Sequence, residues 1–226
     1  MTEPQGKWKQ RTADTHTRHM QQLATPHHHH HYTIILLGDS MLERFTTTGR
    51  ATSISQNPHI FNAGCGGDKV DNVLYRLEHG LLDRLPAVEK VVLHCGTKNL
   101  AGRGKKKTLK MGAGYIPAYR AMLRMIVAHY RARGGDTRTS TTTTSMMMIP
   151  HLFITGLFYR EATDAAEIDR VNAMLKALAE EEEEEQEECV QCTYIPPFET
   201  TLVDHVHMDA ASYAKWDAVL VPILGL

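Results

Sequence analysis

Two hydrophobic rhythms alternate along this chain. Short apolar-rich runs occur at 33–37, 60–62, 88–95, 149–158 and 192–195. Such runs are too short for core helices and read as strands, buried on both faces where the run is unbroken. Between them the apolar positions are spaced for helices. Val70, Val73, Leu74, Leu77 and Leu81 predict a helix over 70–81. Tyr115, Tyr119, Met122, Ile126 and Tyr130 predict a second over 114–133, with Pro117 acceptable only in its first turn. Ile168, Val171, Leu175 and Leu178 mark a third, and Tyr213 and Trp216 lie in a closing helix over 209–221. Strands and helices that take turns in this way predict an α/β fold, a mainly parallel sheet with helices on both faces.

Several stretches fall outside both rhythms. Residues 1–31 are polar, end in the histidine run 27–31, and are expected to be disordered. Residues 101–111 form a basic loop, 134–147 a Gly/Thr-rich linker, and 180–188 an acidic run broken only by Gln186. Charge blocks of this kind are expected to be solvated helix ends or loops. What remains is one domain over 32–226 with insertions.

Composition narrows the function. A net charge of −1 over 226 residues gives no argument for a nucleic-acid partner. No apolar run approaches the about 20 residues of a membrane span. The N-terminus lacks the apolar core of a signal peptide, so the expected location is cytoplasmic. Four cysteines in a chain this long do not make a disulfide framework. Cys189 and Cys192 form a CxxC without a second pair, which is a weak metal or redox signal.

The candidate chemistry lies where the predicted strands end. In an open parallel sheet, functional groups gather beyond the carboxyl ends of the strands. The first strand runs into Gly38-Asp39-Ser40, the second into the loop 63–68 with Cys65, Gly66, Gly67 and Asp68, and the third into Gly96-Thr97-Lys98-Asn99. A serine nucleophile needs a base, and the base an orienting acid. Asp204 and His207, three residues apart near the C-terminus, can lie on one side of a turn. The carboxylate then holds the imidazole at Nδ1 and leaves Nε2 for Ser40. Backbone amides of Ser40 and Gly67 can serve as two oxyanion donors. His205 is expected to point away from Ser40. The cluster Asp204, His205, His207 and Asp209 has no complementary His or Cys elsewhere, so no metal is assigned. The loop 64–68 lacks dinucleotide-fingerprint spacing, and the loop 102–108 lacks that of a phosphate-binding loop.

This set, in this order, resembles the SGNH (GDSL-type) hydrolase family. Gly38-Asp39-Ser40-Met41 matches its nucleophile motif, Gly67 its second-block glycine, and Asp204-x-x-His207 its closing motif. The resemblance spans about residue 33 to the C-terminus. It implies a flavodoxin-like three-layer α/β/α sandwich, hydrolysis of small carboxylic esters, no metal or organic cofactor, and a homodimer. One position departs. The family's third block is G-x-N, whose Asn side chain donates to the oxyanion; here Lys98 stands at that position and Asn99 follows it. Lys98 or Asn99 is then the third donor. Loss of such a donor costs on the order of 10²–10³-fold in turnover. The departure therefore leaves a second reading beside the esterase, a protein of this fold that binds without turning over.

Overall fold

The computed structural model describes residues 6–24, 31–100, 114–135, 149–161, 163–185 and 190–226. Its centre is a sheet of five parallel strands, β1 Ile34–Gly38, β2 Ile60–Gly64, β3 Lys90–His94, β4 His151–Thr155 and β5 Cys192–Ile195. The strand order is β2-β1-β3-β4-β5, the doubly wound order of flavodoxin. Its switch point falls between β1 and β3, where the connections leave for opposite faces. In β1 all five residues are buried. Successive side chains take opposite faces. Ile35 and Leu37 join Phe61, Val91, Leu93 and Ile154 in one core. Ile34 and Leu36 join Val92, Phe153 and Ile195 in the other.

Helices complete each layer. The first core is covered by α1 Gln10–Leu23, α4 Val70–Glu78, α5 Tyr115–Gly135 and α6 Ala165–Glu185. The second is covered by α7 Ala210–Leu224, which brings Tyr213, Trp216, Leu220 and Leu224, together with the short α2 Ser40–Glu43 and α3 Ser53–Gln56. This is the three-layer α/β/α sandwich expected from the sequence. Every residue of the predicted stripe on α5, from Tyr115 to Tyr130, is buried.

The structure departs from the sequence reading in three places. Residues 10–23, expected as part of a disordered segment, form α1. Its buried face is Thr12, Thr15, His19 and Leu23. That face has helical spacing but is mostly polar, so no apolar periodicity marks it. Its hydroxyls and ring find partners instead. Thr12 donates to Asp68 Oδ1 at 2.6 Å, and the His19 ring stands edge-on to Phe61 at 5.4 Å. Residues 180–185 of the acidic run are the last part of α6, a helix end as expected, but one side chain among them is not solvated. Glu182 is 1% exposed, with Oε1 at 3.8 Å from Nε of both Arg120 and Arg124 on α5. Two arginines opposite one glutamate allow an otherwise costly burial. Finally, β4 stops at Thr155, although Leu157 and Phe158 are also buried. The Asn172 amide takes both backbone groups of Leu157, accepting from its N–H at 2.7 Å and donating to its carbonyl at 3.0 Å. A side chain thus replaces the next ladder rung. The basic loop 101–111, residues 136–147 of the linker and 186–188 of the acidic run lie outside the described residues, as does Cys189. Cys192 is buried in β5.

Candidate active site

Ser40 is delivered by a turn that two strands hold. Asp39, fully buried, caps α2 by accepting from the Met41 N–H at 3.0 Å through Oδ1. Its Oδ2 accepts from the Thr97 N–H at 3.2 Å. One carboxylate thus ties the end of β1 to the loop after β3. Gly38 must be glycine for a steric reason, since a Cβ there would meet the His94 carbonyl oxygen at 1.8 Å. Beneath this corner lies a buried ion pair. Arg76 and Asp68 are both fully buried, with Nε and Oδ2 3.1 Å apart. The guanidinium also donates to the carbonyls of Ala63 at 2.5 Å and Gly38 at 2.9 Å. It clasps the ends of β2 and β1 directly under the nucleophile turn.

The C-terminal acid and base sit in a loop pinned at its neck. Leu202 and Met208 form an antiparallel bridge, and Val203 N–H donates to the His207 carbonyl at 2.8 Å. Inside it, Asp204 Oδ1 accepts from the N–H groups of Val206 at 2.8 Å and His207 at 2.7 Å. Oδ2 then stands 2.7 Å from His207 Nδ1. The three-residue spacing therefore lets one carboxylate hold both the turn and the ring. Partial burial opposes the charge on Asp204, but the bonds from the His207 ring, the His207 amide and the Val206 amide outweigh it and hold the carboxyl well below the usual range. The far side of the ring completes the chain. His207 Nε2 lies 3.1 Å from Ser40 Oγ, and Ser40 itself is 7% exposed. With Nδ1–H donating to Asp204, Nε2 is the acceptor for the serine hydroxyl. Ser40, His207 and Asp204 thus form one hydrogen-bonded line.

Among the described residues, neither the Ser40 nor the Gly67 amide donates to a protein acceptor. Ser40 opens α2, where the first N–H groups have no partner within the helix. Gly67 has φ +80°, a conformation that favours glycine and turns its peptide. The other two predicted donors separate. Asn99 turns to α4, where its Oδ1 accepts from the Val70 N–H at 3.2 Å. Lys98 is exposed and lines the same groove as Gly67. His205 points to Glu161, with Nδ1 at 2.6 Å from Oε2. The Glu161 carboxylate raises its pKa.

Periodicity and motifs missed three side chains here. Arg44 Nη2 lies 3.6 Å from Asp204 Oδ2, the oxygen that also holds His207 Nδ1. Arg76 was read only as part of a helix. His94 is buried at the end of β3, where its Nδ1–H donates to Thr155 Oγ1 at 2.8 Å, and that hydroxyl donates to the Leu93 carbonyl at 2.9 Å. Burial lowers the His94 pKa, against the pull of Asp39, and keeps the ring neutral. The only available signal for these was a charged or ionisable residue inside an apolar pattern.

No protein-family model and no curated protein matches the chain. Solved structures do. A GDSL-like lipase from Bacteroides thetaiotaomicron superposes with a TM-score of 0.64 at 14% identity, over 93% of this chain and 97% of that one. This is the SGNH hydrolase fold. A carbohydrate acetylesterase from Sinorhizobium meliloti gives 0.59 at 13% identity, over 86% of this chain and 98% of that one. A member of the lipolytic G-D-S-L family from Veillonella parvula gives 0.53 at 16% identity, over 83% and 96%. At such identities the likeness concerns the fold. Within the SGNH fold the line from Ser40 to Asp204 lies at the carboxyl edge of the sheet, beside the switch point. Among the described residues no helix is long and apolar enough to cross a membrane.

Proposed function

We propose that the protein is a serine esterase acting on small carboxylic esters. The observation that carries this reading is the line Asp204–His207–Ser40, at 2.7 and 3.1 Å, beside two amides that donate to no acceptor among the described residues. Ser40 Oγ attacks the ester carbonyl carbon as its proton passes to His207 Nε2. Asp204 steadies the imidazolium through Nδ1–H. The carbonyl oxygen, now an anion, takes hydrogen bonds from the Ser40 and Gly67 amides. Collapse expels the alcohol, which leaves with the proton from Nε2. Water then attacks the acyl-serine by the same path in reverse. The segments 61–85 and 88–99 resemble the catalytic subunits of the type 1B platelet-activating-factor acetylhydrolase, which supports acetyl as the acyl group.

The test is hydrolysis of p-nitrophenyl acetate by the purified protein beside Ser40→Ala. Turnover that disappears in the variant is the expected result. Equal rates in the two proteins overturn the reading and favour the binding protein to which Lys98 points.

A further inference from the structure

A groove of about 530 Å³ opens beside Gly67, and its walls are basic. Lys7, Lys9, Lys69 and Lys98 line it, while Asp71 is the one acid among its described lining residues. Asp71 is already taken by Lys7 at 3.0 Å. Among the described residues, Lys9, Lys69 and Lys98 face no carboxylate at ion-pair distance. Lys9 Nζ instead donates to the Gly67 carbonyl at 2.8 Å, which places a cation against the proposed oxyanion corner.

Two further features set this groove apart from an ordinary lysine-bearing surface. The first is Lys69, the N-cap residue of α4. That position favours Ser, Thr, Asp or Asn, and the positive end of the helix dipole disfavours a cation there. A lysine there weakens the helix and adds its own charge to the positive helix end. The second is Trp8, which lines the groove and is 61% exposed. The chain just before it is stitched down, and α1 begins two residues after it. Gly6 N–H donates to Glu78 at 2.8 Å, Lys7 N–H to the Asp71 carbonyl at 2.7 Å, and Asn72 Nδ2 to the Lys7 carbonyl at 2.8 Å. A large ring held in place but left open to water is a platform for a flat or apolar group.

We propose that this groove binds the alcohol portion of the ester and selects an anionic one, a phosphate or carboxylate held by Lys69 and Lys98 with its carbon frame against Trp8. The proposal rests on the esterase reading and names its substrate class. It also gives Lys98, which stands where the family has its oxyanion Asn, a task in recognition.

Matched acetates test it: 4-acetoxyphenyl phosphate and 4-acetoxybenzoate against the neutral methyl 4-acetoxybenzoate, with wild type and Lys69→Ser. Serine is a favoured N-cap, so the variant keeps α4. The anionic-to-neutral ratio of kcat/KM is expected to fall about three- to tenfold in Lys69→Ser, and in wild type at high salt, with the neutral ester unchanged. The two anionic esters separate phosphate from carboxylate. A ratio unmoved by both changes, with the neutral ester still turned over, overturns the proposal and leaves the esterase standing. If no ester is turned over, the esterase reading fails. The groove is then judged in Ser40→Ala by quenching of Trp8 fluorescence with phenyl phosphate against phenol, using Trp8→Phe as the blank. Quenching by the phosphate alone, lost in Lys69→Ser, supports an anion site; no quenching overturns it.

Discussion

The carboxyl edge of the sheet and the N-terminal strap meet at one corner but are built by opposite means. At the edge, apolar strands end abruptly in Asp39-Ser40, Gly66-Gly67 and Thr97-Lys98. Chemistry there is visible because it interrupts a hydrophobic pattern. The strap, residues 6–24, closes over the same corner with Thr12, Thr15 and His19 as its inner face. It is held by hydrogen bonds to buried polar groups, above all Thr12 to Asp68. An apolar face can be read from spacing alone, whereas a polar face becomes readable only once its partner is known. The strap's partner is Asp68, whose own partner Arg76 holds the ends of β1 and β2.

The sharpest break on the edge side is Asp204→Asn. It keeps the shape of the turn but removes the charge that holds His207, and kcat is expected to drop about 10⁴-fold with little change in melting temperature. On the strap side the largest effect is on stability. Asp68→Ala leaves the Arg76 guanidinium buried without its counter-ion and takes Thr12's acceptor. Urea denaturation is expected to show a loss of about 3–5 kcal/mol. If that variant does not fold, Thr12→Val removes only the strap's bond, at a cost of about 2 kcal/mol.

His19 gives the strap a pH dependence of its own. Burial first, and then the neighbouring Arg76, Arg18 and His16, lower its pKa to about 3. Its folded value lies below the unfolded one, so between about pH 6.5 and 3 the unfolded chain binds the extra proton. The stabilisation is complete above pH 6.5 and is lost as pH falls through that window. Near pH 5 the loss is about 2 kcal/mol. His19→Leu is expected to flatten this part of the stability–pH curve in proportion, measured by denaturation at pH 7 and pH 5. Smallest of all is Arg44→Met. Its pair with Asp204 is partly solvated, so kcat/KM is expected to change less than about fivefold.

How much of this was legible follows from the same contrast. The strands, α4 to α7 and the parallel sheet with helices on both faces came from periodicity, because their buried faces are apolar. The flavodoxin-like three-layer form was implied by the family resemblance. The three-residue spacing of Asp204 and His207 was legible as a possible acid–base pair because a turn of that length has one near side. The approach of His207 to Ser40, 167 positions away in sequence, needed the fold to show it. The strap was not legible, nor was Glu182, whose burial depends on Arg120 and Arg124 from another helix. Arg76 was invisible for a related reason: nothing in a helical stripe says that its one arginine will reach two strand ends. Asn99 shows the limit of motif matching. It stands one residue from the family position and is used to cap α4.

The central claim is that Ser40 is the nucleophile, and covalent labelling tests it most directly. A fluorophosphonate ester reacts only with a serine whose hydroxyl is activated. Peptide mapping of the treated protein is predicted to find one phosphonyl group on Ser40, absent in Ser40→Ala and strongly slowed in Asp204→Asn. An unlabelled Ser40 under conditions that label a control esterase, or a label carried by another residue, would contradict the account.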